Sequence, residues 1–305
     1  MTFIIGILAG VLIAFQSAIN ARLRMHVGAA FLTSFVSFSV GLLFLLGLSL
    51  IMQQTPAFSL DNLGNVPLWA WTGGLLGMVG LTANVLIFPK LGGVQTAVMP
   101  ILGQVLMGVL IDTFAWLNSP YIAFTASRLF GIGLVLFGVW IAVVLPHLSG
   151  LKRKENANLW LWRAVGILGG TTLATQAAVN GEFGRQLGSS LGAATVSFGV
   201  SAIGLLLVVL FYEKSLPKLC QPTEGKPFWI WSGSILGSLF ILAGVWLVPQ
   251  IGTGSVVMLV LSGLICGSLL VDKFGLFGIT QKPILPQQII GVTLLLAGVA
   301  FIRLL

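Results

Sequence analysis

Apolar residues run along this chain in blocks of about twenty, separated by short polar breaks, and no block shows the alternation of a strand. A block of roughly 20 apolar residues matches the hydrocarbon core of a bilayer when wound as a helix. Ten such helices fit. The first five cover residues 3–22, 30–52, 67–88, 93–112 and 127–146, and the second five cover 160–181, 190–212, 228–248, 253–271 and 286–304. Helices are expected rather than a barrel because continuous apolar runs leave no polar lumen face.

The blocks are not independent. Ala14–Val40 recurs as Ala174–Val200 in a gapless register of 160 residues. Gln16 matches Gln176, Asn20 matches Asn180, and Val36-Ser37-Phe38 matches Val196-Ser197-Phe198. The same offset pairs Gly73 and Gly77 with Gly233 and Gly237, and Asp112 with Asp272. The chain therefore reads as a duplication: a first repeat over 1–146, a polar linker over 147–159 and a second repeat over 160–305. Five spans per repeat is an odd number, so the second repeat enters the membrane upside down. The fold expected is all-α and integral to the membrane, with ten transmembrane helices as two inverted five-helix repeats.

Composition agrees, with 57% hydrophobic and only 7% charged residues against about 25% charged in soluble domains. The breaks after spans 1, 3, 5, 7 and 9 carry twelve of the fifteen Lys and Arg residues, and the opposite breaks carry three. The positive-inside rule then puts the linker in the cytoplasm and both termini outside, in a bacterial inner membrane. The net charge of +8 belongs to loops, not to one basic face, so nucleic acid is not an expected partner. The apolar start, Phe3–Phe15, is followed rather than preceded by basic residues, Arg22 and Arg24. It reads as a retained first span, not a signal peptide.

Small residues recur every fourth position in span 1 (Gly6, Gly10, Ala14, Ala18) and in span 6 (Gly166, Gly170, Ala174, Ala178). Such stripes let helix backbones approach closely in lipid. Gln16 and Asn20 share another face, about 200° around from the stripe, and Gln176 and Asn180 repeat the arrangement. Two readings stand for these amides: hydrogen bonds between helices, or two polar patches lining one solute cavity. Ser37, Ser197, Asn84 and Gln104 extend the candidate substrate-binding set. Asp112 and Asp272 end spans 4 and 9, where a carboxylate opposes the helix dipole. Each is either a cap or ion pair, with Arg128 near Asp112 and Lys273 near Asp272, or a gate or coupling group.

No Asp, Glu, Lys or Arg lies in the middle of a span, which argues against a proton relay. Cys220, Cys266, His26 and His147 are too scattered for a metal site. No nucleophile and base pair up, so neither catalysis nor a cofactor is expected.

Phe15-Gln16, Asn20-Ala21-Arg22-Leu23, Val36-Ser37-Phe38, Gly103-Gln104 and Ile111-Asp112 resemble the YdcZ family, described as bacterial inner-membrane exporters of the drug/metabolite transporter superfamily. In the second half Gln176, Asn180, Val196-Ser197-Phe198 and the run Val271–Gly278 carry the same resemblance. It implies a ten-span carrier made of two fused five-span units with antiparallel halves. The chain departs from the pattern where Thr113-Phe114-Ala115 follows Asp112, and where Leu264 replaces a glutamine. The expected function is secondary-type export of a small neutral or zwitterionic metabolite or drug by alternating access. The alternatives are a non-transporting scaffold or sensor, and a passive channel. The expected partners are the solute, the bilayer and, at most, a second copy in a homodimer.

Overall fold

The computed structural model describes residues 1–52, 66–145, 159–220, 227–281 and 283–304. Side chains are described for all of these except 84, 85, 88, 89, 92–97, 220 and 302–304. The side chain of Asn84 and residues 147–158 of the linker thus lie outside the described residues.

Every regular element among the described residues is helical. In chain order these are α1 (Thr2–Val27), α2 (Ala30–Ile51), α3 (Gly73–Thr113), α4 (Ala126–Val139), α5 (Leu159–Leu187), α6 (Ser190–Val208), α7 (Gly233–Ile251), α8 (Thr253–Phe274) and α9 (Pro286–Leu304). A π-helical turn prolongs α4 to Val144 and another prolongs α6 to Glu213. Among the described residues, six helices are long and apolar enough to cross a membrane, and Leu68–Ala83, Val98–Thr113 and Pro286–Phe301 are shorter apolar helices. α1 and α5 stop at Gly28 and Gly188, which take φ of 67° and 65°. A left-handed residue just past the last turn closes a helix, and glycine adopts it without strain.

Where two spans were expected at 67–88 and 93–112, helical backbone runs without interruption from Gly73 to Thr113. As one rod it would measure roughly 60 Å, twice the hydrocarbon thickness. It does not lie as one rod. Ile87 and Met99 both pack on Gly166, at 3.1 and 2.8 Å from where its Cβ would be. Twelve residues of straight helix would hold them about 18 Å apart, so the chain folds back between them. The first limb descends α5 from Asn180 (at Gly73) to Gly166 (at Ile87), and the second climbs it again.

Packing follows the small residues. Gly6 and Gly10 of α1 receive Leu259 and the backbone of Val260 from α8; Gly166 and Gly170 of α5 receive Met99 and the backbone of Pro100 from α3. These contacts are equivalent under the 160-residue offset. So are the glycine contacts of α4 with α9, where Gly131 meets Gly298 and Gly138 meets Gly291. The halves are therefore interlocked: α1 packs into the α7–α8 pair, and α5 into the two limbs of α3.

Directions can be read from these contacts. α8 runs alongside α1 in the same sense, and the second limb of α3 runs alongside α5 in the same sense. Asp112 at the end of α3 meets Thr253 at the start of α8. The C-terminus of α5 therefore lies at the end of the bundle where α1 begins, and the two helices run oppositely. α8 is the inner helix, 67% buried, whereas α2 at 28% exposes Leu43, Leu46 and Leu50 outward.

Candidate functional site

The amides are not on the glycine stripe that holds α1 to α8. They face the next helix round. Gln16 and Asn20 lie against Gly237 and Gly233 of α7, and Gln176 and Asn180 lie against Gly77 and Gly73 of α3. Glycines at these positions leave space for an amide where any side chain would collide. Asn20 Nδ2 donates to Ser37 Oγ at 3.3 Å, and Asn180 Nδ2 donates to Ser197 Oγ at 3.1 Å. Ser234 Oγ in turn donates to Ser37 Oγ at 3.4 Å. Beside Ser197, Ser201 Oγ donates to the carbonyl of Gly74 at 3.0 Å, joining α6 to α3.

Two clusters result, each of an amide pair, a serine and a glycine pair: Gln16, Asn20, Ser37, Gly233 and Gly237, and Gln176, Asn180, Ser197, Gly73 and Gly77. Because α1 and α5 run oppositely, the clusters lie toward opposite ends of the bundle. Asn20 and Asn180 each sit seven residues before the end of their helix, about 10 Å along the axis. Their cover is unequal. Gln176 and Asn180 are 7% and 2% exposed, whereas Gln16 and Asn20 are half-buried. Gln104 is half-buried on the second limb of α3, next to the Gly103 that touches α5.

Asp112 is fully buried at the rim where α5 ends. Its carboxylate accepts from the backbone N–H of Thr253 at 2.7 Å and of Gly254 at 2.9 Å, so it caps the N-terminus of α8. Arg128 Nη2 pairs with it at 2.9 Å and Ser119 Oγ donates to it at 3.3 Å. The dipole of α3 opposes a charge at this position, but that of α8 favours it, and the backbone donors satisfy it. The nearby ion pair expected with Arg128 is present; the cap across helices was invisible in the sequence. Asp272 occupies the last turn of α8 and is half-buried.

The rims hold a second equivalent pair with reversed charge. Arg22 donates to the carbonyls of Phe277 (3.0 Å) and Gly278 in the turn after α8. Glu182, at the same position of the other half, accepts from Asn118 Nδ2 at 3.0 Å in the turn after α3, and is held by Arg185. The two residues differ in charge and in type. The shared feature is a polar reach to the same turn, which an identity comparison misses. At the rim of Arg22, Glu213 accepts from the N–H groups of Phe31 and Leu32, and Lys218 donates to the carbonyl of Gly28.

These paired clusters can be set beside known proteins. The family described as "Putative inner membrane exporter, YdcZ" matches the chain twice, over residues 1–141 and 161–301. The chain belongs to the YdcZ family. The two matches of this YdcZ chain coincide with the two halves that carry equivalent amides, serines and glycines, and the family makes it a membrane transporter of the inner membrane. No curated protein matches it. A solved structure titled only "Crystal structure of protein" is similar, with a TM-score of 0.68, 13% identity, and coverage of 98% of this chain and 96% of that chain. At that identity the likeness is one of fold.

Proposed function

We propose that this YdcZ chain exports a small neutral or zwitterionic solute by alternating access of two inverted halves, 1–146 and 160–305. Gln16, Asn20, Ser37, Gln176, Asn180 and Ser197 contact the solute, and Gln104 and Asn84 complete the proposed set. The linker 147–159 faces the cytoplasm and both termini face outward, a sidedness supported by twelve basic residues on one set of breaks against three on the other. The opposite courses of α1 and α5 and the reciprocal glycine contacts of α4 and α9 support inversion. Asp112 with Arg128, and Glu182 with Asn118, latch the outer rim in this conformation.

The observation that carries the reading is the unequal cover of equivalent amides: Gln176 and Asn180 are buried, whereas Gln16 and Asn20 are half-buried. Two halves of like sequence in unlike conformations are what a carrier needs, because exchanging their conformations moves the opening to the other side.

Thiol labelling tests it. In a background with Cys220 and Cys266 replaced by serine, Asn20→Cys is expected to react from the cytoplasmic side and Asn180→Cys from the outer side. Reaction of one should fall when the other side is held open by cross-linking. Labelling of both positions at once would make the protein a channel, and labelling of neither would make it a scaffold.

A further inference from the structure

Among the described residues four buried amide oxygens have no hydrogen-bond partner, Gln186 Oε1 near the end of α5 and, in the two clusters, Gln16 Oε1, Asn20 Oδ1 and Asn180 Oδ1. An unsatisfied carbonyl away from water is costly, and this one occurs at the same position of both halves. The amide nitrogens are engaged by Ser37 and Ser197, which turns the oxygens of Asn20 and Asn180 toward Gly233 and Gly73. That orientation is the favourable one. A glycine Cα–H attracts a carbonyl oxygen weakly, whereas an amide N–H in its place would face another positive dipole end. Both clusters therefore present an asparagine oxygen as an acceptor against bare glycine backbone, while Gln16 and Gln176 turn their Nε2 atoms toward Gly237 and Gly77.

The remaining polar atoms do not complete them. Among the described residues no acid or base belongs to either cluster: Arg22 and Glu182, two residues on from Asn20 and Asn180, bond to the turns after α8 and α3. Asn180 is 2% exposed, so bulk water does not reach its oxygen in this conformation. A group that satisfies it must arrive when α3 and α5 separate at Gly73.

We infer that Asn20 Oδ1 and Asn180 Oδ1, with Gln16 Oε1, bind N–H donors of the transported molecule. The solute class is then a neutral or zwitterionic molecule with an unsubstituted amino or amide nitrogen. Full N-methylation removes every donor and keeps the charge while adding methyl bulk at the nitrogen, so such analogues are excluded. The zwitterionic form is compatible with an uncharged site because its counter-charge travels with it. This inference rests on the carrier reading above and narrows what that carrier takes.

Matched probes decide it on the unaltered, detergent-purified protein. Glycine and alanine are compared with their N,N,N-trimethyl derivatives, and acetamide with N,N-dimethylacetamide, by the shift in thermal unfolding and by calorimetry. The donor-bearing member of at least one pair is expected to raise the transition, and its methylated partner to bind at least tenfold more weakly. Asn180→Leu, which keeps the shape but deletes both the acceptor and the donor to Ser197, is expected to lower the ligand-free transition and to abolish the ligand-induced shift. Equal binding of methylated and unmethylated probes overturns the donor assignment. So does a panel without any shift, and so does an undiminished ligand-induced shift in Asn180→Leu. The carrier reading stands or falls separately, on the thiol labelling, which needs no ligand.

Discussion

Phe38 and Phe198 occupy the same position of the two halves, and their rings lie against each other with centroids 5.0 Å apart. Each residue thus touches its own counterpart in the 160-residue register. Phe198 also fills the space over Gly41 of α2. Replacing Phe198, which is 4% exposed, by alanine is expected to cost about 3 kcal/mol, and the half-buried Phe38 less. A double-mutant cycle read by thermal unfolding should return a coupling of about 0.5–1.5 kcal/mol. Strict additivity would remove the pair from the interface.

The rim around Asp112 should fail in a defined order. Asp112→Ala leaves Arg128 as a buried unpaired charge and strips the cap from α8, an expected loss of about 3–5 kcal/mol. Arg128→Gln imitates Gln288, the equivalent residue of the second half. It keeps the backbone donors of Thr253 and Gly254 on the carboxylate, so it should cost about half as much or less. Denaturation midpoints of the two variants give the order, and the reverse order would show that the ion pair outweighs the cap.

Ala115 takes φ of 52° where the equivalent Gly275 takes 60°. The departure of Thr113-Phe114-Ala115 from the glycine-bearing turn of the other half thus changes residue type without changing conformation, and the alanine is strained. Ala115→Gly is expected to stabilise by about 1 kcal/mol and Gly275→Ala to destabilise by a similar amount. Opposite signs in thermal unfolding check the assignment.

Gly170 and Gly133 separate packing from propensity. A Cβ on Gly170 would strike the carbonyl of Pro100, and backbone cannot turn aside as a side chain does. Gly133 has nothing within 4 Å of its Cβ position. Gly170→Ala is expected to lose about 1–3 kcal/mol, and Gly133→Ala to be neutral or to gain up to about 1 kcal/mol. Yield of folded protein and unfolding temperature read both.

Much of this protein is local and could be read without coordinates. Membrane helices declare themselves in sequence because backbone hydrogen bonds close within each segment and lipid demands an apolar exterior. The 160-residue register announced the two halves, and the spacing of Gln16 and Asn20 put them on one face, away from the small-residue stripe. Their partners were not legible. That Asn180 meets Gly73, that Asp112 caps a helix beginning 141 residues later, and that Glu182 does the work of Arg22 are relations between segments. The sequence holds no local mark of them, because a helix carries the same pattern whichever neighbour it packs on. Only the tertiary structure decided that each half folds into the other. It also decided that two clusters of like sequence are covered unequally, since burial is set by which neighbouring helices pack over a residue and how closely.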